Sequence, residues 1–316
     1  MVSRQITPSL RALLRKAGLA LLICLGASAA AQRSSERVVV ASGTNIDWSY
    51  AQNEAPIVYR IGDVRLTVRG IRSGDADELT LVRPAVSVAV PGFAPVVVEG
   101  SDSSATFEHR ISVGRWEGQR PYVMLQSFTG GAHCCNLVQL VIPEGNRLRA
   151  VELGQWDGGY LDALPIDLDG DGRLDFVFVD NRFLYAFASY ADSYAPPQII
   201  NLIDGRREDV SNRPGFRPLF ETAFAEQRRA CVAPSEDRVV NGACAAFVAS
   251  ATRLGRFDQA WAEMLRAYDR NSDWELPVEC RVPSVNGLCP EADSIVSRDY
   301  PTALRAFLVR NDYIPR

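Results

Sequence analysis

Apolar and polar residues alternate along the chain between residues 32 and 212, in short runs separated by glycine, proline, asparagine and aspartate. An alternation with period two, interrupted by turn-forming residues, predicts antiparallel strands joined by turns. The runs lie at 58–71, 79–92, 95–100, 122–128, 136–153 and 174–180. The tetrapeptide PEGN at 143–146 predicts a hairpin turn inside one of them. The run 174–179 is almost entirely apolar, which predicts a central strand that is buried on both faces.

From about residue 213 the apolar residues recur at helical spacing instead. This pattern predicts helices over 218–232, 242–254, 256–270 and 301–310. Asn241 is the expected N-cap of the second helix, Gly255 is its expected C-terminal stop, and Asp299 is the expected cap of the last helix. The short connection between the second and third helices predicts an antiparallel helix hairpin.

The two patterns divide the chain into two predicted domains. A polar segment near 205–216 that contains glycine and proline separates them, as a linker does. We expect a β domain at 32–212 and a helical domain at 213–316. The predicted fold class is α+β, in which an N-terminal antiparallel β half, propeller-blade-like or a sandwich, precedes a C-terminal helical half stapled by disulfides.

Residues 1–31 have the three parts of a secretory signal peptide. Four basic residues without an acidic one come first, an apolar run at 17–25 follows, and an alanine-rich exit ends near Ala31. The apolar run is too short for a membrane span, which needs about 20 residues. We therefore expect cleavage near Ala31 and a periplasmic or secreted protein without a membrane span after signal cleavage.

The charge of the chain disfavours one class of partner. The sequence has 34 basic and 38 acidic residues, and loss of residues 1–31 would remove four basic residues and no acidic one, which leaves a net charge of −8. Nucleic-acid binding depends on clustered positive charge. We therefore expect no nucleic-acid partner, and the remaining candidates are an unknown envelope or extracellular protein or a glycan.

Carboxylates recur at alternate positions in the segment 167–175. Asp167, Asp169 and Asp171 can turn inward around one ion, the carbonyl of Arg173 can add an oxygen, and Asp175 follows. Calcium takes six to eight oxygen ligands, and this spacing supplies most of them. Carboxylates this close repel one another unless a cation lies between them. The alternative is a solvated Asp/Gly turn held by side-chain hydrogen bonds.

The loop differs from an EF-hand, because position 12 is Phe178, where that motif needs a bidentate glutamate. It resembles the Asp-rich loops of FG-GAP and VCBS-type β repeats, in which calcium closes a strand-loop-strand turn. That resemblance implies four ligands, which are Asp167, Asp169, Asp171 and Asp175. Those families repeat the loop, whereas this sequence contains one copy.

The segment FTGGAHCCN at 128–136 places His133 beside two adjacent cysteines, Cys134 and Cys135. The cysteines are candidates for structural disulfides to other partners, for a vicinal disulfide, for a Cys–His nucleophilic site or for a metal site. Adjacent Cα atoms lie about 3.8 Å apart across a trans peptide, whereas disulfides prefer about 5.5–6 Å. This difference favours separate partners over a vicinal bridge.

An even number of cysteines would follow removal of the signal segment, which suggests disulfides in an exported protein. The candidates are Cys134, Cys135, Cys231, Cys244, Cys280 and Cys289. An antiparallel helix hairpin would bring Cys244 close to Cys280, and Cys231 with Cys289 would then form the second bridge of the helical half. These two bridges would leave Cys134 and Cys135 only each other as partners, so they conflict with separate partners for that pair. The TGGAHCC segment, with the single Asp-rich loop and SYAPP at 193–197, resembles exported proteobacterial proteins, a resemblance that implies no activity.

Three aromatic residues, Phe183, Tyr185 and Phe187, alternate on what the pattern predicts to be one strand face, and Tyr190 and Tyr194 lie beyond them. They are either a platform for a glycan or peptide, or part of a core, which is where aromatic residues of strands usually lie. No nucleophile elbow, zinc-binding HExxH motif, phosphate-binding loop or dinucleotide fingerprint occurs in the sequence.

The sequence thus predicts an exported, non-enzymatic binding or envelope-associated module in which Ca²⁺ stabilises a strand-loop-strand turn. The alternative is an envelope hydrolase or thiol enzyme that uses His133 with Cys134 or Cys135.

Overall fold

The computed structural model describes residues 37–41, 43–73, 81–116, 120–234, 239–282 and 289–316. Strands occupy the described chain as far as Asp209, and α-helices follow from Arg217 with one short strand pair between the last two. The predicted signal segment 1–31 lies outside these residues. Within the described residues, no helix has the length and apolar character that a membrane crossing requires.

The described strands form four sheets. The strands are β1 (Arg37–Val39), β2 (Asn45–Trp48), β3 (Ile57–Ile61), β4 (Val64–Ser73), β5 (Leu81–Ala89), β6 (Val96–Glu99), β7 (Ser103–Ser104), β8 (His109–Arg115), β9 (Pro121–Phe128), β10 (Asn136–Glu144), β11 (Arg147–Trp156), β12 (Phe176–Val179), β13 (Pro197–Ile203), β14 (Arg206–Asp209), β15 (Glu279–Cys280) and β16 (Ser294–Ile295). The first sheet has the order β1-β3-β4-β5-β6 with β7 beside β5, the central sheet β11-β10-β9-β8-β2, the third sheet β12-β13-β14, and the fourth sheet is the antiparallel pair β15-β16. All neighbours are antiparallel except β1 and β3.

The central sheet is covered on both faces, because successive side chains of a strand point to opposite sides. In β9, Leu125 packs with Leu66 and Val86 of the first sheet. The preceding residue Met124 points the other way and packs with Phe176 of the third sheet. The first and central sheets therefore form a sandwich, and the third sheet adds a layer behind it. The predicted α+β fold with an antiparallel β half of sandwich type is confirmed.

The third sheet is also covered on both faces, by the central sheet on one side and by the helices on the other. Ile200 in β13 faces the central sheet. Its neighbour Ile199 is fully buried on the opposite side, against Phe216 and Phe220. The helical half thus covers the outer face of the third sheet. The described residues from Arg37 onward form one compact unit, and the division into domains at 32–212 and 213–316 stays a prediction.

The described residues of the C-terminal part contain four α-helices, which are α1 (Arg217–Val232), α2 (Asn241–Arg253), α3 (Phe257–Ala267) and α4 (Tyr300–Arg310). Helix α2 is the centre, because all residues from Asn241 to Ala251 are buried. Two predicted end signals are confirmed: Gly255 follows α2 with a φ of +73°, and the Asp299 carboxylate accepts the backbone N–H of Thr302 at 2.9 Å. The predicted cap Asn241 is instead the first helical residue.

Three disulfides among the described residues join neighbouring parts of the chain, and they are Cys134–Cys135, Cys231–Cys244 and Cys280–Cys289. The predicted pairs Cys244–Cys280 and Cys231–Cys289 are therefore wrong. The end of α1 meets the start of α2, which brings the Cα atoms of Cys231 and Cys244 to 4.7 Å. Cys280 lies in an extended segment beyond α3, where it pairs within its own loop.

The apolar run 174–179 forms an edge strand, so the predicted central position is wrong. Strand β12 ends the order of the third sheet and pairs with β13 alone among the described strands. Phe176 and Phe178 are buried against the central sheet. Val177 packs towards the helices, whereas Val179 is 42% exposed. Two covered faces explain the apolar sequence without a second neighbouring strand.

The aromatic stripe at 183–187 is not on a strand. A 3₁₀ turn at Asn181–Phe183 follows β12 and breaks the alternation. Phe183 and Phe187 are buried in the helical core, which confirms the core interpretation for these two residues. Tyr185 points away from the core and is 47% exposed.

One buried group makes the stability of the β sandwich depend on pH. His109 begins β8, is 2% exposed, and contacts Ser103 through Nε2 at 3.3 Å. Burial lowers the pKa of His109 to about 4. The unfolded chain, with an ordinary imidazole pKa of about 6.5, therefore binds more protons than the folded chain between these two values.

We expect acidification to remove stability as the pH falls below 6.5. The His109 contribution between pH 7 and pH 5 is about 2 kcal/mol in the free energy of unfolding. Urea unfolding of the wild type and of His109→Gln at both pH values measures it. The difference between the two pH values should shrink by about this amount in the variant, and an equal pH dependence of both proteins would contradict the assignment.

Candidate functional site

The connection between β11 and β12, residues 157–175, contributes to two clusters of chemically active side chains. Its first residue, Asp157, contacts His133 of the GGAHCC segment. Its last part carries the aspartates of the predicted calcium loop. The connection is closed at its end by a bridge between Ile166 and Asp175, on the way into β12.

Three of the predicted ligands lie together at the end of this connection. Asp167, Asp169 and Asp175 each offer a carboxylate oxygen, and these atoms lie within 4.8 Å of one another. Asp167 is exposed, Asp169 is partly buried and Asp175 is 2% exposed. The three carboxylates could hold a metal ion, because oxygen-rich anionic clusters of this kind suit hard divalent cations.

Asp167 organises the turn of the loop. Its Oδ1 accepts the N–H groups of Gly170 at 2.7 Å and Asp171 at 3.1 Å, and its Oδ2 accepts the N–H of Gly172 at 2.9 Å. Gly172 has a φ of +86°. This left-handed conformation suits glycine and agrees with the turn predicted for that position.

Asp175 anchors the loop to the third sheet. Its carboxylate accepts the Leu168 N–H at 2.7 Å and an Asn201 side-chain N–H at 2.6 Å. Burial raises the pKa of Asp175, against the opposing effect of the Asn201 hydrogen bond. A bound cation would offset this desolvation, because it stabilises the charged form of a carboxylate.

Asp171 is turned towards arginines. Its Oδ2 lies 2.6 Å from Arg213 Nη1 and 3.1 Å from Arg173 Nη1. Burial opposes ionisation, but the hydrogen bonds from Arg173 and Arg213 lower the pKa of Asp171. Arg213 Nη1 also lies 3.5 Å from Asp169 Oδ2. Part of the expected repulsion between the carboxylates is therefore offset by arginine. Participation of Asp171 and of the Arg173 carbonyl as ligands stays a prediction.

The junction between strands and helices packs directly on this loop. A 3₁₀ turn at Pro214–Phe216 precedes α1. A Cβ added at Gly215 would overlap the Cβ of Asp169 and lie 3.0 Å from its Cα. The glycine thus permits a close approach that no larger residue allows. Together with Arg213, it connects the aspartate loop to the start of the helical part.

The second cluster surrounds His133. Its Nδ1 lies 2.9 Å from Asp157 Oδ1, and its Nε2 lies 2.6 Å from the Tyr185 hydroxyl. The Tyr190 ring stacks on the imidazole with centroids 3.8 Å apart and planes 14° apart. Burial, with the negative charge of Asp157, raises the pKa of Tyr190. Residues from three separate segments therefore meet at one imidazole.

Tyr185 has an uncommon backbone conformation, with a φ of +61°. Left-handed backbone costs about 1–3 kcal/mol for a residue other than glycine. Two hydrogen bonds hold it: the Tyr185 N–H donates to Ser193 Oγ at 3.0 Å, and the Trp274 indole N–H donates to the Tyr185 carbonyl at 3.2 Å. The result is a side chain directed at His133.

The adjacent cysteines form a vicinal disulfide, across a cis peptide. Of the alternatives for this pair, separate structural partners were favoured, and that expectation is wrong. Thr129 closes the loop around the disulfide, because its Oγ1 accepts the Cys135 N–H at 2.7 Å and its N–H donates to the Cys135 carbonyl at 2.9 Å. Neither sulfur is a thiol in this arrangement.

A cleft of about 610 Å³ lies beside His133. Its lining residues are Thr106, Phe107, Glu108, Phe128, Ala132, His133, Gly158, Gly159 and Tyr160. Phe107 and Phe128 meet edge to face with centroids 5.2 Å apart, and Phe107 is 36% exposed. The Tyr160 hydroxyl donates to the Glu108 carbonyl. The cleft is therefore mainly aromatic, with one carboxylate at its edge.

Sequence reasoning missed three residues of these clusters, namely Asp157, Arg213 and Gly215, and it named Tyr190 only as an aromatic residue beyond the stripe at 183–187. The WDGGY segment at 156–160, directly after a strand, could have marked Asp157 as a polar residue at a sheet edge. Arg213 and Asp171 are in contact although they lie 42 positions apart in the sequence. No local sequence pattern predicts such a contact.

Comparison with known proteins identifies relatives along most of the chain. The model of the sll0997 C-terminal domain matches residues 220–312. The "Probable thylakoid lumen protein sll0997" of Synechocystis sp. is 36% identical over 236 residues, which are 73% of this chain and 68% of that protein. No solved structure matches the chain significantly.

A second relative is longer. The "Uncharacterized protein y4bJ" of Sinorhizobium fredii is 33% identical over 273 residues, which cover 84% of this chain. The match spans 42% of the length of that protein. The similarity includes the β part in both cases, because each match is much longer than the C-terminal domain alone.

The close packing of Gly215 on Asp169 leads to a test of the junction. We expect Gly215→Ala to lower the free energy of unfolding by about 1–3 kcal/mol, because the new methyl group overlaps Asp169 and forces the loop and junction apart. Gly159→Ala is the matched control, since an added Cβ there has no neighbour within 4 Å. Urea unfolding of both variants measures the effect, and equal stability of the two would contradict the close contact.

Proposed function

The chain belongs to the family of the probable thylakoid lumen protein sll0997, and we propose that it is an exported calcium-binding module. The relative's name places that protein in a lumen, a compartment reached by export across a membrane. A periplasmic or secreted location of this chain corresponds to such a compartment. Three disulfides agree with it, because disulfides persist in oxidising compartments.

The observation that carries the proposal is the convergence of Asp167, Asp169 and Asp175 within 4.8 Å. The set fits a hard divalent cation, because it offers anionic oxygens and neither nitrogen nor sulfur. Its most buried member, Asp175, has a raised pKa that a neighbouring positive charge would lower. The sequence spacing adds the Asp171 carboxylate and the Arg173 carbonyl as further proposed ligands.

Calcium is the proposed ion because the loop is rich in carboxylates and exposed on one side. Ca²⁺ accepts six to eight oxygens in flexible geometry, whereas Mg²⁺ demands a near-octahedral shell and keeps several waters. When bound, the ion would supply positive charge that draws the three carboxylates together. The resemblance to FG-GAP and VCBS-type loops supports the same choice of metal.

The proposed role of the loop is structural. Asp175 fixes one end of it to the third sheet through Asn201. Asp169 lies against Gly215 and Arg213 at the start of the helical part. Ordering these carboxylates would therefore order the junction between the strands and the helices. Such a module would present a rigid surface to an envelope or extracellular protein or to a glycan.

The thiol alternative receives no support from the GGAHCC segment. Cys134 and Cys135 are bonded to each other. The imidazole nitrogens of His133 contact Asp157 and Tyr185. A Cys–His nucleophilic site requires a thiol beside the imidazole, and the disulfide removes it.

We expect calcium to stabilise the purified protein. An ion that binds the folded state alone adds about 3 kcal/mol at a concentration about 100-fold above its Kd, which corresponds to a rise of several degrees in Tm. Thermal melts with CaCl₂ and with EGTA measure the shift, and MgCl₂ at the same concentration tests the choice of metal.

Two variants locate the effect. Asp169→Ala should abolish the calcium-dependent rise in Tm, because it removes one of the three clustered carboxylates. Asp63→Ala should retain it, because Asp63 is an exposed aspartate in the turn between β3 and β4, outside the loop. Identical melts of the wild type in CaCl₂ and EGTA would refute calcium binding.

A further inference from the structure

We propose that Tyr185, His133 and Asp157 form a nucleophilic site, in which the Tyr185 hydroxyl attacks an uncharged acyl donor bound in the cleft beside His133. Calcium binding is not required for this chemistry, since the aspartate loop contributes none of the three residues. The three side chains come from the GGAHCC segment, from the start of the connection 157–175 and from the turn after β12. Such constellations are recognised by geometry and roles, not by sequence order.

The hydrogen bonds of His133 indicate which way a proton would move, namely from the Tyr185 hydroxyl to His133 Nε2. Asp157 is a carboxylate that accepts at 2.9 and 3.0 Å from His133 Nδ1, so the imidazole carries its proton on that nitrogen. The lone pair of Nε2 then faces the Tyr185 hydroxyl at 2.6 Å. The distance is within hydrogen-bond reach of a general base and its nucleophile. The Asp157 N–H is itself held by Asn181 Oδ1 at 3.0 Å.

The protein holds Tyr185 in this position at a conformational cost. Its φ of +61° is an outlier for an aromatic residue, and Ser193 and Trp274 stabilise it from two sides. Strained residues of this kind cluster at functional sites. Tyr190 fixes the plane of the imidazole by stacking on it at 3.8 Å. Tyr185 nevertheless remains 47% exposed as a whole residue, so it is open to approach from the solvent.

The cleft restricts the substrate class. His133 lines it, and the Tyr185 hydroxyl lies 2.6 Å from His133 Nε2, so the nucleophile is one hydrogen bond away from a residue of the lining. The one charged side chain in the lining is Glu108, which would repel a phosphate or a carboxylate. The aromatic walls of Phe107, Phe128 and Tyr160 suit an apolar acyl group. A phenol has a pKa near 10 and a thiol near 8.5, so acyl transfer to tyrosine is favourable from a leaving group of similar or greater acidity. The substrate is therefore an aryl ester or a thioester.

The reaction has two balanced steps. First, the Tyr185 oxygen forms a bond to the acyl carbon while its proton moves to His133 Nε2, and the phenol or thiol leaves with that proton. The acyl group is then an ester of Tyr185. Second, a water molecule attacks this ester, gives one proton to His133 and releases the carboxylic acid. The Tyr185 oxygen takes the proton back from the imidazole.

A solely structural network would hold the same loops without making Tyr185 reactive. The release of p-nitrophenolate from p-nitrophenyl butyrate distinguishes the two roles, in buffer without reductant so that the disulfides stay intact. We expect Tyr185→Phe and His133→Gln each to lower the rate by about 100-fold, since general-base catalysis contributes about 10²–10⁴. Tyr50→Phe, in the β sandwich, is the control and should retain the wild-type rate.

A second measurement locates the reactive hydroxyl directly in the wild type. Phenylmethanesulfonyl fluoride transfers its sulfonyl group to an activated hydroxyl with loss of fluoride, and mass spectrometry of peptides locates the adduct. We expect the adduct on Tyr185 of the wild type and its absence from His133→Gln. An adduct spread evenly over the tyrosines, or a Tyr185→Phe rate within twofold of the wild type, would overturn the proposal.

Discussion

The central sheet needs apolar cover on both faces, and the order of the layers follows from this requirement. Met124 and Leu125 are consecutive in β9 and both are fully buried, although they point in opposite directions. One face therefore needs the first sheet and the other needs the third sheet. The third sheet has the same property at Ile199 and Ile200, so it in turn needs the helices. The fold is a stack in which each layer leaves one apolar face for the next.

The chemically active residues lie where this stack is interrupted. Connections run outside the packed layers and are free to carry polar side chains. The connection 157–175 leaves the central sheet at Trp156 and enters the third sheet at Phe176, so it crosses from one layer to the next. Its aspartates meet Arg213 and Gly215, which lie where the chain passes from the third sheet to the helices. The connection from the central sheet to the third sheet therefore contacts the connection from the third sheet to the helices, and they meet at the carboxylate cluster.

Several features that depend on neighbouring residues could be predicted from the sequence. The hairpin at 136–153, the cap at Asp299 and the stop at Gly255 each rest on a few adjacent positions, and each is confirmed. The three clustered aspartates also follow from local spacing.

Several predictions that depend on contacts between distant parts of the chain failed, whereas the Asn241 cap and the pairing of Cys134 with Cys135 failed at neighbouring residues. The apolar sequence of β12 fits both a central strand and an edge strand with two covered faces, and only the packing distinguishes them. The disulfide pairs required the path of the chain after α3. The contact of His133 with Asp157 and Tyr185 requires three segments that the sequence does not link.

The connection 157–175 is subject to a constraint on its evolution. Its first residue is placed by His133 and its last by Asn201, so both ends are fixed in space. Surface loops ordinarily tolerate insertions and deletions. Here a single inserted or deleted residue must be absorbed between Asp157 and Asp167 or displace one of the two clusters. Between Asp167 and Asp175, change should therefore proceed by substitution at constant length, although much of this segment is exposed to solvent.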